Sequence, residues 1–138
     1  MWPRWIGIDI PNLQIVGVHI PSWKQRPVDS EYYWEDMQSY FNRIIDNKVM
    51  LIGDMNVYEK GTNSEKKFCE LIDKGMKDVW VEKGYSKDRP TSNYKTRIDY
   101  ALMTPSLYEE YKDSIDMNID DALRNEGITD HSALWIEY

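Results

Sequence analysis

The run Val49-Met50-Leu51-Ile52, which stops at Gly53-Asp54-Met55-Asn56, constrains this chain more than any other stretch. It is too short for a helix and too uniformly apolar for a strand with one face in water. It therefore reads as a buried central strand ending at Gly53. Such a strand needs neighbours on both edges and cover on both faces, and the flanking sequence offers both.

Trp5 to Ile10 alternates loosely and reads as a strand. Pro11-Asn12 is a turn signal, and Leu13 to Ile20 is rich in β-branched residues, so 5–20 is expected to form a hairpin. Pro21 ends it, and 21–29 is a loop. Ser30 is the expected N-cap of a helix of about four turns. Tyr33, Met37, Tyr40, Phe41, Ile44 and Ile45 recur along that helix at helical spacing. Asn63 or Ser64 caps a second helix, with Phe68, Leu71, Ile72 and Met76 on one face and Gly75 near its end. Val79-Trp80-Val81 is a short strand or an irregular packed segment. Residues 83–96 are polar and turn-rich, a loop long enough to be functional. Ile98 to Met103 reads as a strand, and Pro105 opens a short helix near 106–113. Ile115 to Ile119 reads as another strand, 120–127 as an acidic loop, and Ala133 to Ile136 as a closing strand. Strands alternating with helices specify α/β layers. At 138 residues the chain is expected to be one domain. A chain of that size buries roughly two thirds of its unfolded surface.

The net charge of −7 argues against a broad, sequence-blind nucleic-acid surface, which needs clustered Lys and Arg. It leaves a phosphate substrate open, because a divalent cation can supply positive charge locally. The single cysteine, Cys69, has no internal partner and is expected at the core or its boundary. The lack of a disulfide framework fits a reducing compartment, and the expected location is cytoplasmic. No apolar run approaches transmembrane length, and Met1-Trp2-Pro3-Arg4-Trp5 lacks an apolar secretory core.

Three strand ends carry the candidate chemistry. Asp54 and Asn56 follow the central run, and alternation alone puts them on one side of an extended chain. Gly53 lets backbone or phosphate approach closely. The plainer reading is a polar turn, since Gly, Asp and Asn all favour turns. Asp99 lies within an apolar strand, where an unpaired carboxylate is costly. Its natural partner is an imidazole N–H, and both histidines, His19 and His131, sit at strand edges. If these strands are neighbours, carboxylates, amide and imidazole converge at one rim of a sheet. Such a set can activate a water and offset charge on phosphoryl oxygens. Arg97 is either a phosphate contact or a surface salt-bridge partner, Trp23 is expected in the core, and Thr91 reads as a turn residue.

Four segments, taken in order, resemble the endonuclease/exonuclease/phosphatase superfamily, the group with the DNase I-like and exonuclease III-like fold. They are Val18-His19-Ile20-Pro21; Ile52-Gly53-Asp54-Met55-Asn56; Pro90-Thr91 with Arg97-Ile98-Asp99-Tyr100; and Thr129-Asp130-His131-Ser132. The resemblance covers nearly the whole chain. It implies an α/β (α+β) fold, a DNase I-like layered β-sandwich flanked by helices. It also implies hydrolysis of phosphodiesters or phosphomonoesters with Mg²⁺ or Mn²⁺. By position, Asp54 would orient or deprotonate the attacking water and Asn56 would bind a phosphoryl oxygen. His131, oriented by Asp99, would contact the scissile phosphate. His19 would contact phosphate or assist the leaving group, and Asp130 with Asp54 would help hold the metal.

The chain also departs from that pattern. In the family, a strand with an Asn motif and then a metal-binding Glu precede the His/Tyr strand. Here the His/Tyr strand begins near residue 13, and the first glutamate is Glu31, in the helix after His19. The implied domain, residues 1–138, therefore lacks the N-terminal segment. Weak metal affinity and an incomplete sandwich, with an apolar edge or face left unpaired, are the expected consequences. The leading expectation is a metal-dependent phosphoesterase of nuclease type acting on nucleic acid or a small phosphoester. The alternative is a non-catalytic fragment or pseudoenzyme of the same fold that pairs with itself, as a homodimer, or with another chain. Loops 21–30, 57–63 and 83–96 are expected to set specificity.

Overall fold

The computed structural model describes residues 4–138; the reading of Met1 to Pro3 lies outside them. The turn at Pro11-Asn12 folds β1 (Trp5–Ile10) back onto β2 (Leu13–His19) in antiparallel register, with Trp5 opposite Val18. Asn12 takes φ 75, a conformation asparagine tolerates because its short side chain bonds locally. Helix α1 (Pro27–Ile44) then carries the chain across the sheet, so that β3 (Val49–Asp54) lies parallel to β2. This helix opens at Pro27 rather than after Ser30. Proline suits the first turn because its φ is preset and its missing N–H has no helical partner there. Ser30 lies buried inside the helix, its hydroxyl 3.3 Å from that of Ser64.

Helix α2 (Asn63–Asp73) is capped by Thr62, whose side-chain oxygen accepts from the Glu65 N–H, one position earlier than the sequence suggests. There follow β4 (Lys77–Asp78), α3 (Val79–Glu82), β5 (Asp99–Met103) and α4 (Pro105–Tyr111). The chain closes with β6 (Asp116–Asp120), α5 (Ala122–Asn125) and β7 (Ala133–Glu137). Val79 to Val81 thus forms a helical turn, and the acidic stretch 120–127 contains one as well.

The strands form a five-stranded sheet in the order β1-β2-β3-β5-β4 and a two-stranded sheet, β6-β7. β3 is central, as its composition requires, and its alternation divides the core. Val49 and Leu51 join Val16, Val18 and Leu102 under Trp34, Met37 and Phe41 of α1 and Leu71 of α2. Met50 faces the other way, with Ala101 and Met103, against Val79, Leu107, Ile115, Met117 and Ile119. Each such side chain fully removed from water contributes roughly 1.5–3 kcal/mol.

Cover is uneven on the second face. Among the described residues the second sheet has only two strands, β7 pairs only with β6, and Ile6 and Ile8 of β1 remain 66% and 50% exposed. Cys69 is exposed, not a core residue: it sits one position round α2 from Phe68, off the side that presents Leu71. No helix among the described residues is long and apolar enough to cross a membrane.

Candidate active site

Strand register brings the predicted residues together before any side chain is considered. His19 at the end of β2 is the Cα partner of Asp54 at the end of β3, and Asp54 is the partner of Asp99 at the start of β5. Three adjacent strands therefore place His19, Asp54 and Asp99 in one row. Gly53 permits the approach of β2 and β3. Its φ is +137, and a Cβ there would meet the Val18 carbonyl oxygen at 2.1 Å, so no side chain fits.

His131 comes from the other sheet, just before β7. Its Nδ1 lies 3.1 and 3.0 Å from the two carboxylate oxygens of Asp99. A carboxylate accepts, so Nδ1 carries the proton and Nε2 is left as the working nitrogen. Asp99 is itself anchored by Thr91, which is fully buried: the Thr91 hydroxyl oxygen accepts from the backbone N–H groups of Ile98 and Asp99, each at 3.1 Å. Thr91 is thus more than a turn residue. The sequence marks Thr91 only as part of a resembling segment and gives no sign of this contact, which the fold alone brings about.

Asn56 takes φ 49 and folds back instead of continuing the strand. Its backbone N–H donates to Asp54 Oδ1 at 2.9 Å. Its Nδ2 donates both to Asp54 Oδ2 at 3.0 Å and to the Ile20 carbonyl at 2.8 Å. Both amide protons are taken, so Asn56 fixes Asp54 and would reach a phosphoryl oxygen only by releasing one of these bonds. His19 Nε2 is 3.6 Å from Asp54 Oδ2, and the imidazole is 61% exposed at the rim.

The electrostatics follow from this crowding. Burial, and then the neighbouring Asp99 charge, push Asp54 up to about 6, against the lowering effect of the Asn56 hydrogen bonds and of His131. For His131, burial favours the neutral form, but the hydrogen bond and charge of Asp99, with Asp54 and Asp130 behind, hold its pKa above the ordinary value. His19 is lowered, first by burial and then by Arg4 and His131. A carboxylate pushed up accepts a proton more readily, and an imidazole held above its ordinary value stays charged more readily, the pairing that acid–base catalysis uses.

Asp130 is exposed, its Oδ1 3.8 Å from His131 Nε2. Among the described residues no three His, Cys, Asp or Glu side chains converge as metal donors. The donor set is thus too small for a protein-only cage. It fits a hard cation that keeps water and takes substrate oxygens for the rest, as Mg²⁺ does with one or two carboxylates.

Arg97 does not reach this rim. It is buried and forms a two-pronged pair with Asp78: Nη1 to Oδ2 at 2.8 Å and Nη2 to Oδ1 at 2.7 Å. It lines a groove of about 670 Å³ bounded by α2 and the 83–96 loop, to which none of His19, Asp54, Asn56, Asp99 and His131 contributes. Trp23 is only half-buried, its indole N–H buried with no hydrogen-bond partner among the described residues.

No family model matches the chain, and no curated sequence matches it. Solved structures do. The chain is similar to a Neisseria 3′ phosphatase, NExo, bound to product DNA hairpin, with 17% identity and a TM-score of 0.70 over 98% of this chain and 64% of that one. It is similar to the endonuclease domain of TRAS1, a telomere-specific non-LTR retrotransposon, with 19% identity and a TM-score of 0.63 over 96% and 59%. An endonuclease/exonuclease/phosphatase family protein from Leptotrichia buccalis matches with 18% identity and a TM-score of 0.62 over 97% and 52%. The chain therefore has the layered α/β, DNase I-like fold of endonuclease/exonuclease/phosphatase structures. It spans 52–64% of the length of these three.

Proposed function

We propose that this chain hydrolyses a phosphoester with an activated water at the rim formed by Asp54, Asp99 and His131. The observation that carries the reading is the His131–Asp99 bond, with Asp54 in register beside it. Deprotonated Asp54 orients the water and takes its proton. In its imidazolium form, with Nδ1–H held by Asp99, His131 donates from Nε2–H to the phosphoryl oxygens as charge builds. His19 contacts phosphate or assists the leaving group, and Asn56 steadies Asp54. A divalent cation, Mg²⁺ or Mn²⁺, weakly held by Asp54 and Asp130, supplies charge neutralisation at the phosphate when bound. The DNA hairpin in the NExo structure supports a nucleic-acid substrate. The net charge of −7 favours a short stretch or a small phosphoester over a long track. The chain is read as one cytoplasmic domain.

Hydrolysis of a chromogenic phosphodiester and of a DNA hairpin, with and without Mg²⁺ or Mn²⁺, tests this. Metal-dependent turnover is expected, rising with pH as Asp54 ionises and falling again as His131 loses its proton, and His131→Ala should lower it by about 10²–10⁴-fold. Turnover that is unchanged in the variant would overturn the assignment.

A second reading rests on the uncovered isoleucines of β1. It holds that the chain works as a homodimer, the β1 faces of two copies meeting about a twofold axis. Sedimentation should then give a dimer that Ile6→Lys/Ile8→Lys converts to a monomer. A wild-type monomer across the micromolar range, with a cooperative melt, would count against it.

A further inference from the structure

The acidic stretch 120–127, which reads in the sequence as a loop, contains the meeting point of the segments that hold His131. Asp121, immediately before α5, is half-buried and accepts three side chains. Ser132 Oγ donates to Oδ1 at 2.6 Å, Arg124 Nη2 lies 3.0 Å from the same oxygen, and Arg89 Nη2 donates to Oδ2 at 2.8 Å. Ser132 is the residue after His131. The two arginines carry the tie to the opposite segment: Arg89 belongs to it and its Nη1 donates to the adjacent Pro90 carbonyl, and Arg124 Nη1 donates across to the Ser92 carbonyl, both at 2.6 Å.

Between these side-chain ties the two segments pair through backbone. Ser132 N–H donates to the Thr91 carbonyl, Asn93 N–H donates to the Asp130 carbonyl, and Ser92 bridges His131. Thr91 is also the residue whose hydroxyl fixes Asp99. One carboxylate therefore spans both sides of the His131–Asp99 bond: through Ser132 it holds the imidazole side, and through Arg89 and Arg124 it holds the Pro90–Ser92 side on which Thr91 anchors Asp99.

We propose that Asp121 is the positioning residue of the site, setting the distance and tautomer of His131 by clamping residues 89–92 to residues 131–132. As a catalytic statement this rests on the phosphoesterase reading; as a structural one it does not. A carboxylate is suited to the task because it accepts from several charged donors at once, and bonds of that kind are short and directional. Its own pKa is lowered: burial works against the charge, but Ser132, Arg89 and Arg124 outweigh it. The clamp is therefore charged at neutral pH. Positioning matters because small displacements of a catalytic group cost rate steeply.

Asp121→Asn removes the charge while keeping the shape, and Ser132→Ala removes only the tie to the His131 side. The readouts are kcat and KM on a chromogenic phosphodiester, the ring ¹⁵N shifts of His131 at a pH where the imidazole is neutral, and the melting temperature. In wild type the shifts should report a proton fixed on Nδ1. Asp121→Asn should lower kcat by about 10- to 100-fold with KM little changed. It should also move the ¹⁵N shifts toward those of a mixed tautomer, with Ser132→Ala moving both in the same direction but less. Glu110→Gln, which breaks the peripheral Lys48–Glu110 pair, is the control and should leave kcat and the shifts alone. Wild-type shifts in both Asp121→Asn and Ser132→Ala overturn the proposal, even if stability falls. If wild type has no phosphodiesterase activity, the functional reading fails and the ¹⁵N shifts alone decide the clamp. If Asp121→Asn does not fold, Ser132→Ala decides it.

Discussion

Asp54→Asn is expected to abolish hydrolysis and, in metal-free buffer at pH 7–8, to raise the melting temperature. Both effects come from the same crowding. Asp54 is only 14% exposed in its side chain and lies opposite Asp99. Folding moves its pKa from 3.8 to about 6. The folded chain thus holds this proton more tightly than the unfolded chain does. The stability from the neutral carboxyl is fully present below pH 4 and is lost as pH rises through 6. Above that pH, keeping Asp54 charged costs roughly 3 kcal/mol at most. Asparagine carries no charge to bury, but it can accept only one of the two bonds from Asn56, a loss of about 1 kcal/mol. The net expectation is a gain of about 1–2 kcal/mol, or several degrees. Activity should fall by about 10²–10⁴-fold, because the amide cannot take a proton from water.

Divalent cations sharpen the same experiment. If Asp54 helps to hold one, Mg²⁺ or Mn²⁺ should raise the wild-type melting temperature in proportion to its binding. It should leave Asp54→Asn unmoved. Thermal melts at pH 4, 6 and 8, with and without metal, separate the two contributions. A variant no more stable than wild type at pH 8 would mean that Asp54 is not electrostatically strained.

The same residues show what the sequence can disclose. Val49 to Ile52 announced a central strand because burial on both faces leaves no polar position, and β3 is flanked by β2 and β5 as that requires. The 5–20 hairpin and both long helices were legible from period and turn chemistry. Asp99 was legible as a buried charge in need of a partner, and His131 is that partner. The exact caps were not legible, since Pro27 and Thr62 compete with equally good neighbours. Nor were the ties made across the fold. Thr91, Asp121 and Asp78 look like any turn or surface residue until the segment each one meets is known. Asn56 gave the opposite lesson: its spacing suggested an open amide beside Asp54, but its left-handed backbone turns that amide back onto the carboxylate.

Asp78→Ala should be the most destabilising of the substitutions considered, by about 3–5 kcal/mol, or about 10–15 °C in melting temperature. The side chains of Arg97 and Asp78 are 4% and 12% exposed and are joined by two bonds. The Arg97 guanidinium also lies 4.5 Å from the centre of the Tyr100 ring, and its Nε is buried with no hydrogen-bond partner among the described residues. Removing Asp78 leaves that cation desolvated and uncompensated, a cost far above the modest net value of the intact pair. Replacing both partners with apolar residues, as in Arg97→Met/Asp78→Leu, should recover most of the loss, because no buried charge then remains. The pair also separates two roles for Arg97. A phosphate contact predicts that Arg97→Met/Asp78→Leu loses turnover by orders of magnitude while remaining folded. A structural brace turned away from the rim predicts that turnover per folded molecule stays within severalfold of wild type. The buried geometry supports the brace. A stable double variant with turnover reduced 100-fold or more would return Arg97 to the phosphate.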